Sequence, residues 1–112
     1  MNPLKFMAGA WALATLLAGL PANAQQPWPT KSIQMIVPQG AGGSTDALAR
    51  LVAQALGDRL GHTVVVDNRA GAGGVLGVSA AAKAAPDGYT ILLGSSTTIA
   101  ANVFLYANFP VD

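Results

Sequence analysis

Twice in this chain a short apolar, β-branched run opens into a glycine-rich segment, and each time helical spacing follows the glycines. That repeat narrows the fold more than any other feature. Ile33 to Val37 ends at Pro38, which has no N–H for a ladder and so marks a strand end. Gly40-Ala41-Gly42-Gly43 follows, and Ser44-Thr45-Asp46 then offers the side-chain oxygens of a helix N-cap. Leu48, Leu51, Val52, Ala55, Leu56 and Leu60 share one helical face, and Gly61 stands where a C-terminal glycine ends the helix. Thr63 to Val66 predicts a second strand. Asn68 to Gly74 is the second glycine loop, and Val75 to Ala84 is a small-residue helix whose alanines suit close packing on a sheet. Pro86-Asp87-Gly88 is a turn, with proline fixing φ and glycine taking positive φ. Tyr89 to Leu93 then predicts a third strand, with Gly94-Ser95-Ser96-Thr97-Thr98 as a polar loop at its end.

Strand, helix, strand, helix, strand implies right-handed crossovers and an α/β fold, a parallel sheet with flanking helices. All three loops follow strands, so they gather at the carboxyl end of the sheet, where open α/β sheets bind ligands. A dinucleotide site fails on spacing. After Gly40 and Gly42 the third position of Gly-x-Gly-x-x-Gly is Thr45, and after Gly71 and Gly73 it is Leu76, although Gly71, Gly73 and Gly77 make a spaced variant. Neither loop carries the Gly-Lys-Ser/Thr of a phosphate-binding P-loop. No cofactor is expected. What survives is simpler: amides at a helix start lack acceptors, the helix dipole adds positive character, and glycine lets an anion come close. Such loops suit a carboxylate or phosphate without any basic side chain. Each loop is also explicable as a tight turn alone.

Met1 to Ala24 reads as a secretory leader, residues 1–24, with Lys5 as its basic start, an apolar run from Phe6 to Leu20, and Ala22-Asn23-Ala24 before a cut at Gln25. The apolar run is short for a membrane span, so the mature form is expected to be periplasmic and not membrane-inserted. Beyond the leader five basic and five acidic residues cancel, which leaves no electrostatic footprint for nucleic acid. With no cysteine and one histidine, His62, the chain cannot form disulfides, thiolate metal sites or a cysteine nucleophile.

Four ordered motifs resemble the periplasmic solute receptors of tripartite tricarboxylate transporters, the Bug receptors. Trp28-Pro29-Thr30-Lys31-Ser32-Ile33 is similar to the family's approach to its first strand, and Val37 to Asp46 to its Val-Pro and Gly-Gly-x-x-Asp loop. Asn68 to Gly74 resembles Asn-Arg-Pro-Gly-Ala-Gly-Gly, and Ala84 to Thr90 resembles Ala-x-Pro-Asp-Gly-Tyr-Thr. Gln39 stands where an aromatic is common, which bears on ligand choice, and Ala70 replaces the usual proline. The resemblance implies a type II periplasmic binding protein fold with a small carboxylate held between two lobes and delivered to membrane transporter subunits. The contacts it implies are Gly42, Gly43, Ser44 and Thr45 in the first loop, Ala72, Gly73 and Gly74 in the second, and Ser95, Ser96 and Thr97 in the third. Asp46 has two readings, bracing of the first loop or recognition of a ligand ammonium.

Receptors of this kind are far longer than 112 residues, so residues 25–112 are expected to be the first part of lobe 1, a truncated portion. About 88 residues bury a modest share of their unfolded surface, so this chain alone is expected to be marginally stable and to bind a carboxylate at millimolar level or not at all. A binding protein, not an enzyme, is the leading expectation. The alternatives are a secreted remnant without ligand and a small serine hydrolase using Ser95 or Ser96. The hydrolase lacks a Gly-x-Ser-x-Gly elbow, and His62 begins a strand at the end opposite the carboxyl loops.

Overall fold

The computed structural model describes residues 26–111. The expected leader and its cut before Gln25 lie outside the described residues. The elements run β1 (Ile33–Val37), α1 (Ser44–Leu60), β2 (Val64–Asn68), a left-handed turn at Ala72–Gly74, α2 (Val75–Ala82) and β3 (Thr90–Leu92). A π-turn over Thr97–Ala101 then continues into α3 (Asn102–Leu105). The sheet order is β2-β1-β3 with both pairings parallel, Ile33 opposite Val64 and Gln34 opposite Thr90. With β1, the first strand in sequence, in the middle, the two crossovers run in opposite directions, and right-handedness puts α1 and α2 on opposite faces of the sheet.

Strand alternation sorts the core accordingly. Ile33, Met35 and Val37 point to one face, where they meet Val64, Ala49 and Ala53, with Val52, Leu56 and Leu60 at the margin. Ile36 points to the other face, and it and Val78 of α2 are buried outside that cluster. The face of α1 differs from the sequence expectation. Leu48 and Leu51 are 54% and 67% exposed and Ala55 is exposed, while Ala49 and Ala53 are buried. The short alanines let α1 sit close on the strands, and the leucines sit on its outer side. The expected side-chain N-cap is also absent: Gly43 holds the N-cap position, and no side-chain oxygen caps the helix. Gly61 does end α1, at φ +69°, donating its amide to the Gly57 carbonyl.

The segment before β1 is tied to the end of the second crossover, at Tyr89 just before β3. The Tyr89 hydroxyl accepts the Thr30 amide at 2.9 Å, its ring packs on Trp28 at 6.0 Å, and the Lys31 ammonium lies 4.5 Å from the ring centre. The Thr30 hydroxyl, 3.1 Å from the phenol oxygen, and then the Thr30 amide hold the Tyr89 phenol below its ordinary pKa. Among the described residues no helix is long and apolar enough to cross a membrane.

Candidate functional site

The three loops meet at the carboxyl end of the sheet through named hydrogen bonds. Gln39 joins the first to both others: its Nε2 donates to Ser95 Oγ at 3.0 Å, and its carbonyl accepts from Asn68 Nδ2 at 3.2 Å. The Arg69 amide donates to the Val37 carbonyl at 2.8 Å, which carries the β1–β2 pairing into the second loop. Gly74 is buried, and a β-carbon on it would fall 2.5 Å from Thr98 Cγ2.

In the first loop, Asp46 settles the geometry. It is 4% exposed, and its Oδ2 accepts the Gly42 amide at 2.9 Å and Arg50 Nε at 3.1 Å. The Gly42 amide first, and then the Arg50 guanidinium, hold its carboxyl below the usual carboxylate range. Asp46 therefore braces the loop by the first of the two expected readings. Its third-position carboxylate reaches back much as in a capping box, to the residue before the N-cap. Gly42 at φ +88° needs glycine for its backbone, whereas Gly43 at φ −82° does not. The first intrahelical bond is donated by Ala47, so the amides of Ser44 and Thr45 have no helical acceptor, and among the described residues none accepts from Gly43 either.

The second loop takes a rarer course. Gly71, Ala72, Gly73 and Gly74 have φ of +139°, +48°, +63° and +97°, four consecutive residues in positive φ. Ala72 is the one that carries a side chain there, an uncommon conformation that surrounding structure must enforce. The Gly74 amide donates to the Gly71 carbonyl at 2.9 Å. The amides of Ala72 and Gly73 have no acceptor among the described residues. Successive N–H groups in such a turn point to the same side, as in an anion-binding nest.

The third segment departs most from expectation. Ser96 and Thr97 are already helical, and the run continues as the π-turn and α3. Thr98 and Asn102 are buried polar residues within it, 4% and 2% exposed. Asn102 Nδ2 donates to the Gly73 carbonyl at 2.8 Å, which ties this helix to the second loop. Ser95 Oγ is taken up by Gln39 and Thr98.

The ten expected contact residues therefore fall into two groups. Gly42, Gly74 and Ser95 have those polar groups engaged inside the protein. Gly43, Ser44, Thr45, Ala72, Gly73, Ser96 and Thr97 stay at the surface or half-buried. Sequence reasoning missed Gln39 as a bridge, placed Asn68 and Thr98 in their loops without a role, and missed Asn102 altogether. The polar residues that span loops carry no local spacing, and Asn102 was hidden because no helix was expected there. His62 precedes β2, at the opposite end of the strands from Ser95, so no imidazole stands beside that hydroxyl. A groove of about 530 Å³ runs along α1 and β2 from Arg50 past Gln54 and Asp58 to His62, and none of the ten expected contact residues lines it.

Residues 48–112 match the model of the tripartite tricarboxylate transporter family receptor. The chain is 50% identical to protein BugT of Bordetella pertussis over 99 residues, 88% of this chain and 30% of that protein. Its fold matches a Rhodopseudomonas palustris protein solved with adipate, at 40% identity and a TM-score of 0.71, over 76% of this chain and 28% of that one. It also matches MatC of Rhodopseudomonas palustris with bound malate, at 36% identity and a TM-score of 0.69, over 73% and 28%. The chain thus spans about 30% of the length of the relatives it matches.

Proposed function

Because this chain belongs to the tripartite tricarboxylate transporter receptor family, we propose that its three-loop end is the part of a periplasmic receptor that takes one carboxylate of a small dicarboxylate. The observation that carries this is the pair of amide clusters, Gly43 to Thr45 and Ala72 to Gly73, left without acceptors at the same end of one sheet. Each cluster offers aligned N–H donors to an anion, and neither holds a competing acidic side chain with a free charge, since Asp46 is paired with Arg50. Ser96 and Thr97 add hydroxyls from the third segment. Relatives with bound adipate and malate support a ligand of this class. We read the protein as a solute carrier that hands its ligand to membrane transporter subunits, exported by residues 1–24. Residues 25–112 then form the first part of a receptor lobe. No catalytic step is assigned, as Ser95 has internal partners and no base.

Thermal unfolding of this chain with malate, succinate and adipate tests the reading. A ligand at twenty times its Kd stabilises the folded form by about 1.8 kcal/mol, several degrees for a domain of this size. Sulfate at equal ionic strength should give less. Identical curves with and without all three dicarboxylates would contradict the proposal.

A further inference from the structure

The left-handed turn at Ala72–Gly74 is an amide donor site only while the carbonyls of Gly71, Ala72 and Gly73 face elsewhere, and each of these three accepts a hydrogen bond within the protein. The Gly71 carbonyl accepts from the Gly74 amide, and the Ala72 carbonyl accepts from the Val75 amide. Both bonds are local to the turn. The Gly73 carbonyl is held from a distance instead, by Asn102 Nδ2 at 2.8 Å, 29 residues along the chain. The same Nδ2 lies 3.4 Å from the Thr98 carbonyl. With two carbonyl oxygens as neighbours, the side-chain atom facing them must be the donor nitrogen.

We propose that Asn102 is the positioning residue of this second amide turn: it holds the Gly73 carbonyl back from the ligand side, so that the Ala72 and Gly73 amides stay presented. This rests on the reading that the turn receives a carboxylate. The π-turn sets the aim. The Asn102 amide donates five residues back to the Thr97 carbonyl, and the extra residue turns everything after it by about 100° relative to a regular α-helix. That rotation brings Asn102 and, one helical turn later, Tyr106 to the same glycine. The Tyr106 hydroxyl lies 2.8 Å from where a β-carbon on Gly73 would stand. The peptide between Gly73 and Gly74 has no side chain on either flank to limit its rotation. Without Asn102 only the Gly74 amide's bond to the Gly71 carbonyl holds that peptide, and a turn that breaks this bond swings the Gly73 oxygen toward the ligand, which replaces attraction by repulsion.

The test compares the parent chain with Asn102→Ala and Asn102→Asp by amide NMR, with malate as the probe. In ligand-free Asn102→Ala the Ala72 and Gly73 resonances should move and the Gly74 amide should exchange about tenfold faster or more, with the β1 amides unchanged. Malate affinity, read from the turn resonances, should fall about tenfold, the scale of one lost hydrogen bond to a charged group's site. Asn102→Asp keeps the shape of asparagine but, once ionised, sets a carboxylate against two carbonyls, so at a pH above its burial-raised pKa the turn should be displaced as well. Acidification that protonates this carboxyl restores an O–H donor and should return the parent-like turn spectrum, a recovery that a space-filling role would not produce. If Asn102→Ala fails to fold, that pH profile alone decides. Turn resonances unchanged in Asn102→Ala, or an Asn102→Asp turn that stays parent-like after its carboxyl has ionised, would overturn the proposal. A turn that follows Asn102 in a parent chain unmoved by malate supports the clamp and defeats the carboxylate reading.

Discussion

Gly43 separates anion binding from folding at the level of a single residue. Its φ of −82° is open to any L-residue, and a β-carbon there would meet nothing nearer than the Gly40 carbonyl at 3.8 Å. Sterically, then, it is a replaceable glycine, unlike Gly42 at φ +88°. It also holds the N-cap of α1, a position that aspartate fills better than glycine by a few tenths of a kcal/mol. Gly43→Asp should leave the chain as stable as the parent or slightly more so. The same carboxylate would stand where the ligand's belongs, so malate binding should weaken by at least tenfold from like-charge repulsion and competition for the free amides. Urea unfolding and a malate titration on one sample measure both. A variant that binds like the parent would show that the first loop is a turn and nothing more.

Glycine acts at the level of whole elements where α2 crosses β1. A β-carbon on Gly77 would lie 2.7 Å from Pro38 Cα and 2.9 Å from the Arg69 carbonyl, both backbone atoms that cannot step aside. Alanine would gain about 1 kcal/mol in helix propensity, but overpacking against backbone costs about 1 to 3 kcal/mol, so the clash wins. Gly77→Ala should lower the urea midpoint with the slope unchanged, and an unshifted midpoint would mean that α2 does not pack this tightly. Gly77 was visible in the sequence as a spaced glycine after a loop, the position that close helix–strand packing requires. Element order, sheet class and the place of the loops were legible for the same reason, because Pro38, Gly61 and Pro86-Asp87-Gly88 punctuate the chain chemically. The phase of α1 was not legible. Leucine dominates a hydrophobicity pattern, while the contact with β1 was made by Ala49 and Ala53, whose value lies in being small. The helix after β3 was masked by its Ser/Thr-rich start, which reads as a loop until Asn102 is seen to be buried.

Across the molecule, the parts of the candidate site that were legible are the glycines, and the parts that were not are the side chains joining one loop to another. Gln39, Asn68 and Asn102 come from three segments and meet only once the sheet has formed. The folded core that supports them is small, with Ile33, Met35, Ile36, Val37, Val64 and Val78 as its larger buried apolar residues. Phe104 and Leu105, 90% and 70% exposed, lie at the end of the helix that holds the second turn. A carboxylate held at one end of so small a core, by dipoles and amides rather than by a basic side chain, should bind weakly to this chain alone. The most direct test is therefore one that reads position at low affinity: amide NMR of the labelled chain during a malate titration into the millimolar range. The account predicts saturable shifts at Gly43, Ser44, Thr45, Ala72 and Gly73, with the amides around His62 unmoved. Shifts centred on the groove beside His62, or none at any of the five, would contradict it.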